Sequence, residues 1–210
     1  MGKLTVIIGP MFASKSTELL RIVNRYEAIG KKVLIINHAS DVRYAKDSIH
    51  THDGRSRKCI AVESLTECKE DINAYDAIVI DEAQFFKDLY EFVVPVVDMS
   101  GHHVIVGALS GDYKREPIGE TLRLIPHADE IIKLESLCSI CNDMTPGLFT
   151  KRIVASEEQV LVGGSDSYIP VCRKCFLVRE LPVVAPPTPP LKKGTTTYAP
   201  PEPEGYPYFN

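Results

Sequence analysis

Residues 9–16 have the types and spacing of a phosphate-binding loop. They read Gly-Pro-Met-Phe-Ala-Ser-Lys-Ser, and they join an apolar run at residues 4–8 to a stretch with helical spacing. In the pattern G-x-x-x-x-G-K-[ST], backbone N–H groups at a helix N-terminus enclose phosphates, the lysine reaches the β- and γ-phosphates, and the hydroxyl binds Mg²⁺. Because Gly9, Lys15 and Ser16 match, the sequence predicts a nucleotide and Mg²⁺ site. The alternative is a coincidental strand-to-helix turn.

Ser14 departs from this pattern, which has a second glycine at the same position. Glycine is favoured where the backbone adopts a positive φ, and serine would add strain on the order of 1–3 kcal/mol there. We therefore expect Ser14 to weaken nucleotide binding without removing the phosphate site.

Two adjacent carboxylates follow another apolar run. Residues 77–80 are apolar, and Asp81 and Glu82 come directly after them. The carboxyl ends of parallel strands form the edge at which α/β sheets bind ligands. In phosphoryl-transfer enzymes an aspartate at this position holds Mg²⁺, and a neighbouring glutamate can accept the proton of the nucleophile. The alternative interpretation is that both acids are solvated and have no functional role. The phosphate loop in the same chain disfavours this alternative.

Four of the six cysteines form two Cys-x-x-Cys pairs, Cys138 with Cys141 and Cys172 with Cys175. In a reducing compartment such pairs indicate a metal site rather than disulfides. Free reduced thiols are the alternative interpretation. Cys59 and Cys68 lie outside the pattern and are expected to be ordinary core or surface cysteines.

The segments that position these residues alternate between strand-like and helix-like patterns, which predicts an α/β fold with a parallel sheet flanked by helices. Apolar runs predict buried strands at residues 4–8, 33–36, 77–80 and 104–109. Helical spacing at residues 19–29, ended by Gly30, predicts the helix after the phosphate loop. Two more helices are expected: one opened by Ser64 and Glu67, and one at residues 85–99 that Pro95 kinks or interrupts.

Composition divides the chain into three expected segments. Residues 1–135 are expected to form the nucleotide-binding α/β domain. Residues 136–180 contain the cysteine pairs, and a unit this short usually requires a metal, disulfides or a neighbouring surface for its stability. Residues 181–210 include nine prolines and are expected to form a disordered tail.

Charge and hydropathy exclude several classes of function. The chain has 24 Lys and Arg against 28 Asp and Glu, a net charge of −4, and so lacks the cationic surplus that non-specific nucleic-acid binding requires. It has no apolar run of roughly 18 residues, the length of a membrane span, and its first residues do not resemble a secretion signal. We therefore expect a cytoplasmic protein that binds neither membranes nor nucleic acid.

Together these motifs resemble one family, the type II (cellular and poxviral-type) thymidine kinases. The likeness covers residues 2–178. Its motifs are Gly9-Pro10-Met11-Phe12-Ala13-Ser14-Lys15-Ser16-Thr17, Asp41-Val42-Arg43-Tyr44, Asp81-Glu82-Ala83-Gln84-Phe85-Phe86, the two cysteine pairs, and Val162-Gly163-Gly164 with Tyr168. The resemblance implies a P-loop (RecA-like) parallel sheet flanked by helices, with a small zinc-binding lasso subdomain.

The resemblance also implies an activity: transfer of the γ-phosphoryl group of ATP to the 5′-hydroxyl of thymidine or deoxyuridine, for DNA-precursor supply. It assigns Glu82 as the proton acceptor, and Lys15 and Arg43 as further catalytic residues. The residues implied to bind ATP and Mg²⁺ are Gly9, Pro10, Met11, Phe12, Ala13, Ser14, Lys15, Ser16, Asp41, Val42, Arg43, Asp81, Glu82, Ala83 and Gln84.

A lasso at residues 150–168 is implied to fold over the nucleoside and to hold the base through backbone hydrogen bonds. The residues implied to bind the nucleoside are Met11, Phe85, Leu109, Tyr113, Thr150, Gln159, Val160, Leu161, Val162, Gly163 and Tyr168. The four paired cysteines are implied to hold a structural Zn²⁺, because four thiolates leave no open position for chemistry. The resemblance further implies that the protein assembles as a homotetramer and that dTTP inhibits it.

Two further residues depart from the family pattern, and two other functions are alternatives to the implied kinase activity. Ser110 and Ile118 stand where the family often has Asp and Phe, so base specificity is expected to be broader. Because of Ser14, one rival is a catalytically impaired nucleotide-binding protein with a regulatory role. The other is a nucleic-acid-stimulated ATPase, since Asp81-Glu82-Ala83-Gln84 also resembles a helicase motif. The short chain, without a second motor domain, argues against that rival.

Overall fold

The computed structural model describes residues 1–40, 48–50, 56–161 and 163–178. Its strands are β1 (Lys3–Gly9), β2 (Val33–His38), β3 (Ser48–His50), β4 (Ser56–Lys58), β5 (Ile60–Val62), β6 (Ala77–Ile80), β7 (His103–Leu109), β8 (Glu130–Lys133), β9 (Ser136–Leu137), β10 (Pro146–Gly147), β11 (Phe149–Arg152) and β12 (Tyr168–Val171). Its α-helices are α1 (Lys15–Glu27), α2 (Leu89–Asp98) and α3 (Arg173–Leu177), and its 3₁₀ turns are Leu65–Glu67, Ile72–Ala74, Ala83–Phe85 and Thr121–His127.

A six-stranded sheet in the order β5-β2-β6-β7-β1-β8 forms the centre of the molecule. Every pair in it is parallel, which confirms the expected α/β class. Strand β7 lies between β1 and β6. Its Val104 is opposite Leu4 of β1 on one side and Ile78 of β6 on the other. As a result, the carboxyl ends of β1 and β6 reach the same edge of the sheet, one strand apart.

The two faces of the sheet carry separate hydrophobic cores. Alternate residues of one strand enter different cores, because successive side chains in a strand point to opposite faces. Val6 packs in the core that includes Leu89 and Val93 of α2, whereas Ile7 packs in the core that includes Leu19 and Val23 of α1. The helices therefore cover both faces of the sheet, and α1 holds the phosphate loop against it.

The two other helices expected from the sequence differ from the structure. Ser64 and Glu67 form only the 3₁₀ turn Leu65–Glu67, because the Ser64 hydroxyl donates to Asp88 Oδ2 (2.5 Å) instead of capping the turn. Helix α2 begins at Leu89 and continues past Pro95 to Asp98. The apolar face of α2 is buried in the core, which offsets the hydrogen bond that proline removes.

Residues 136–178 form a compact unit of short elements. Strand β9 pairs with β10, strand β11 pairs with β12, and α3 follows directly. Its small core surrounds the four paired cysteines and includes Val171. A domain division near residue 135 stays a prediction, and the tail at 181–210 lies outside the described residues. None of the helices in the described ranges is long and apolar enough to cross a membrane.

His103 provides a test of acid stability. Its imidazole lies between the Tyr26 hydroxyl (2.5 Å from Nδ1) and the Thr5 hydroxyl (2.9 Å from Nε2). Burial lowers the pKa of His103 to about 4, helped by the charge of Lys3. The unfolded chain therefore takes up the proton first, and stability is lost as pH falls from about 6.5 through 4.

Between pH 6.5 and 4.5 we expect His103 to lower the free energy of unfolding by about 1 kcal/mol. This value is smaller than the full pKa shift implies, because the side chain is partly exposed to solvent. Urea titrations at both pH values should show a smaller difference for His103→Gln. The exposed His127 is the matched control, and His127→Gln should behave like the unmodified protein. Equal pH dependence for both variants would contradict the prediction.

Candidate active site

The phosphate loop lies between β1, which ends at Gly9, and α1, which begins at Lys15. Two of its non-glycine residues have left-handed backbones: Phe12 (φ 65°) and Ser14 (φ 58°). The Lys15 ammonium donates to the Pro10 carbonyl oxygen at 2.8 Å. The loop therefore curves around its own lysine at the N-terminus of α1, which is the arrangement that binds phosphate groups.

Ser16 and Asp81 are 65 residues apart in the sequence and in direct contact in the fold. The Ser16 hydroxyl donates to Asp81 Oδ2 at 2.7 Å. Burial raises the pKa of Asp81 to about 6; the charge of Glu82 adds to this rise, and the hydrogen bond from Ser16 opposes it. A hydroxyl and a carboxylate at a phosphate loop are the oxygen ligands that Mg²⁺ takes in such enzymes. The donor set therefore fits Mg²⁺.

Glu82 is held in place by its neighbour Gln84. The Gln84 side-chain nitrogen donates to Glu82 Oε2 at 2.6 Å, and its oxygen accepts the Leu109 N–H at 3.1 Å. Glu82 itself has a left-handed backbone (φ 50°) that turns the chain after β6. The carboxamide of Gln84 therefore joins Glu82 to the end of β7, and the role in ATP or Mg²⁺ binding that the resemblance implies for Gln84 stays a prediction.

One cleft of about 540 Å³ joins these groups to an apolar wall. The predicted site residues that line it are Met11, Phe12, Ser14, Lys15, Ser16, Asp81, Glu82, Gln84, Phe85, Leu109, Tyr113, Thr150, Gln159, Val160, Leu161, Gly163 and Tyr168. Gly9, Pro10, Ala13 and Ala83 belong to the same loops without lining the cleft. Asp41, Val42, Arg43 and Val162 lie outside the described residues. The cleft thus has a charged end and an apolar end, as a nucleotide and a nucleoside together require.

Buried Arg152 organises the segment of residues 153–161, which we call the lasso segment. Its guanidinium donates to the carbonyl oxygens of Ser156 (3.1 Å), Glu158 (2.5 Å) and Gln159 (3.2 Å). It also donates to the Tyr168 hydroxyl at 2.7 Å. The lasso segment is therefore folded around one cation, beside the apolar end of the cleft.

The polar atoms of two predicted nucleoside ligands are also used within the protein. The Tyr168 hydroxyl donates to the Leu161 carbonyl oxygen at 2.9 Å. The Thr150 hydroxyl accepts the Met11 N–H at 2.9 Å, which ties β11 to the phosphate loop. These contacts tie both residues to the elements that surround the cleft.

Comparison with known proteins agrees with this geometry. A family model described as thymidine kinase matches residues 2–176. Thymidine kinase a of Arabidopsis thaliana is 42% identical over 189 residues, covering 88% of this chain and 79% of the relative. The thymidine kinase of Yaba monkey tumor virus is 42% identical over 176 residues (83% and 94%), and the human cytosolic thymidine kinase is 38% identical over 175 residues (83% and 73%).

The chain belongs to the thymidine kinase family. Membership confirms the resemblance inferred from the sequence motifs, and both cellular and poxviral members of the thymidine kinase family are among its relatives. Membership in a family of kinases also implies that ATP is a substrate.

In this member of the thymidine kinase family the four paired cysteines form one cluster. Their Sγ atoms all lie within 4.8 Å of one another. Cys141 Sγ is 3.8 Å from Cys172 Sγ and 3.6 Å from Cys175 Sγ. A tetrahedral site with Zn–S bonds of about 2.3 Å has S···S edges of about 3.8 Å. The spacing and the four thiol donors therefore fit a closed metal site.

Sequence reasoning missed Arg152, which holds the lasso segment, and several residues that line the cleft, among them Asp112. Arg152 follows Thr150 by two positions on β11 and shares its buried face, a signal that strand alternation offers. Asp112 lines the cleft and accepts the N–H groups of Lys114 and Glu116, each at 2.8 Å. Asp two residues before such an N–H is typical of an Asx turn, so a turn was recognisable but not its place in the site.

Ser14 offers a test of the strained loop. Its backbone is left-handed in the structure, and its side chain makes no capping hydrogen bond for α1. The strain is present without nucleotide, so we expect it to lower stability and not, as the sequence suggested, nucleotide affinity. Ser14→Gly should raise the free energy of unfolding by about 0.5–1 kcal/mol and change the ATP KM less than about threefold. Urea unfolding and steady-state kinetics measure the two effects.

Ser14→Ala is the matched control, because it keeps the strain and removes only the hydroxyl. We expect it to leave stability close to that of the unmodified protein. A tenfold fall in ATP KM for Ser14→Gly would contradict the prediction, since it would mean that nucleotide binding itself requires the strained conformation.

Proposed function

We propose that this protein is a thymidine kinase: it transfers the γ-phosphoryl group of ATP to the 5′-hydroxyl of thymidine or deoxyuridine, giving the 5′-monophosphate and ADP. The observation that carries the proposal is the contact of Ser16 with Asp81, 2.7 Å apart, with Glu82 adjoining them on the wall of the same cleft. The names of the relatives support the substrate.

Four described residues, Lys15, Ser16, Asp81 and Glu82, support the proposed reaction. The Lys15 ammonium leaves the Pro10 carbonyl oxygen to bind the β- and γ-phosphates, and the N-terminus of α1 encloses them. Ser16 and Asp81 would hold Mg²⁺, which supplies charge neutralisation on the phosphate oxygens. Glu82 accepts the proton of the 5′-hydroxyl as the new P–O bond forms and the bond to the ADP oxygen breaks. Positioning by these residues supplies most of the rate enhancement.

Other assignments complete the proposal. Cys138, Cys141, Cys172 and Cys175 would hold Zn²⁺ as a structural ion. Arg43 would neutralise charge that develops on the transferred group, and Asp41 and Val42 would belong with it to the ATP-binding residues. Residues 136–180 would act as the lasso subdomain. We also propose a cytoplasmic homotetramer that supplies DNA precursors and is inhibited by dTTP.

A panel of nucleosides tests the proposed reaction. We expect labelled phosphate from ATP to appear on thymidine with a kcat/KM at least tenfold above that for deoxycytidine. Deoxyuridine should fall within about tenfold of thymidine, because Ile118, buried in the cleft wall, leaves more space than an aromatic ring and one missing methyl group changes binding modestly.

Each rival function predicts a different result in the same assay. ATP hydrolysis that rises with single-stranded DNA, without nucleoside phosphorylation, would support a nucleic-acid-stimulated ATPase. Thymidine binding without transfer would support a catalytically impaired binding protein. Equal use of thymidine and deoxycytidine would contradict the proposed base preference while leaving a nucleoside kinase in place.

A further inference from the structure

The lasso segment, residues 153–161, is attached by its side chains to one loop of the main sheet, residues 110–118. The Gln159 side-chain nitrogen donates to Asp112 Oδ2 at 3.0 Å and to the Pro117 carbonyl oxygen at 3.1 Å. Lys114 also pairs with Glu157 at 3.5 Å, but the Glu157 side chain is 98% exposed, and exposed pairs contribute little. The Tyr113 hydroxyl also reaches the Ser156 and Glu157 carbonyl oxygens, at 3.5 and 3.4 Å, the long end of hydrogen-bonding distance. The contact between Gln159 and Asp112, at 3.0 Å, is therefore the shorter side-chain attachment of this segment to the loop.

Asp112 is built to receive this contact. The residue is only 7% exposed, and Oδ1 already accepts the N–H groups of Lys114 and Glu116. Within the described ranges no Lys, Arg or His forms an ion pair with it. A buried carboxylate needs hydrogen bonds to each oxygen, and Gln159 supplies the donor for Oδ2.

The position of this pair connects it to the nucleoside end of the cleft. Asp112 directly precedes Tyr113, and Gln159 directly precedes Val160 and Leu161, all of which line the cleft. The Arg152 guanidinium lies 3.7 Å from the centre of the Tyr113 ring, so the two sides are also packed together there. Loss of the Gln159 contact would loosen the wall formed by Val160 and Leu161, although Arg152 still holds the preceding carbonyl oxygens of the segment.

We propose that Asp112 and Gln159 form a latch, a pair of positioning residues that holds the lasso segment against the nucleoside and so sets nucleoside affinity. The inference rests on the proposed function, because it assigns the nucleoside to this end of the cleft. The latch orders a wall of the binding site and takes no part in phosphoryl transfer. It therefore acts on the KM for thymidine and leaves kcat and the KM for ATP nearly unchanged.

Variants that interchange the amide and the carboxylate of Gln159 and Asp112 test the latch. Gln159→Glu places a carboxylate against the Asp112 carboxylate, and we expect the thymidine KM to rise about tenfold, with kcat and the ATP KM within about twofold. In the double variant Asp112→Asn with Gln159→Glu, the asparagine nitrogen can donate to the new carboxylate while its oxygen keeps both backbone contacts. We expect the thymidine KM of the double variant to lie at least about threefold below that of Gln159→Glu, with a remaining rise because the Pro117 carbonyl oxygen has lost its donor.

Glu157→Gln is the matched control, since it removes a carboxylate from the same segment outside the latch, and it should leave both KM values unchanged. Equal rises in the two KM values for Gln159→Glu, or a double variant no better than the single one, would overturn the proposal.

Hydrogen exchange of the nucleoside-free protein gives a readout that does not depend on activity. We expect Gln159→Glu to accelerate exchange at residues 156–161, the double variant to restore protection, and strands β1, β6 and β7 to stay protected in both. If the unmodified protein fails to phosphorylate thymidine, the proposed function is wrong and exchange still tests the latch. If it succeeds and exchange shows no difference between the variants, the latch alone is wrong.

Discussion

Glu82→Gln is expected to lower the kcat for thymidine phosphorylation by about 10²–10⁴-fold, the usual contribution of a general base. Glutamine has the same shape, and its side-chain oxygen can still accept the hydrogen bond that Gln84 donates at 2.6 Å. The variant therefore keeps the geometry of the site and loses only the ability to accept a proton. The KM values for ATP and thymidine should change less than about threefold.

The measurement is steady-state kinetics with both substrates varied. Glu67→Gln is the matched control, because this exposed glutamate lies outside the cleft and its replacement makes the same change in charge. It should leave kcat unaltered. A kcat for Glu82→Gln within fivefold of the unmodified enzyme would exclude Glu82 as the proton acceptor and direct attention to bound water.

Cys172→Ser is expected to remove the metal from the cysteine cluster and raise the thymidine KM by at least about 30-fold. Zinc contributes roughly 10–16 kcal/mol to the folding of small zinc-binding peptides, and residues 136–178 have only a small core around the four cysteines. Cys172 also caps α3, where its Sγ accepts the Cys175 N–H at 3.5 Å. Serine is a favourable capping residue, so the loss reports the metal and not the cap.

Metal analysis of the purified protein should give one zinc ion per chain and less than about a tenth of that for Cys172→Ser. ATP binding should change less than about threefold, because β1 and α1 hold the phosphate loop and Thr150, in the unit of residues 136–178, contributes one hydrogen bond to it. Cys68→Ser is the control, since Cys68 lies outside the cluster and its replacement should retain the metal. A variant with a full complement of zinc and a normal thymidine KM would contradict a structural role for the cluster.

The central fold follows closely from local patterns. The apolar runs predicted as strands at residues 4–8, 33–36, 77–80 and 104–109 lie within β1, β2, β6 and β7. Buried parallel strands have continuous apolar runs because both faces are covered, so this signal needs only a few neighbouring residues. The pattern at Ser64 and Glu67 was less informative, since Asp88 takes the serine hydroxyl from a segment 24 residues away.

The residues of the proposed catalytic centre could be predicted from the sequence, but their arrangement could not. The loop motif identifies Lys15 and Ser16, and the strand end identifies Asp81 and Glu82. Their contact depends on the strand order, in which β7 separates β1 from β6. The role of Gln84 followed only from the structure, where its carboxamide joins Glu82 to the end of β7.

The sequence by itself determined the phosphate loop, the acidic strand end, the cysteine pairs and the α/β class, because each depends on chemistry within a few consecutive residues or on strand periodicity. Only the tertiary structure decided the contacts of Asp112 with Gln159 and of Arg152 with Tyr113. These partners are 47 residues apart in one case and 39 in the other. Pairing at such separations depends on how packed elements meet, and no local spacing encodes it.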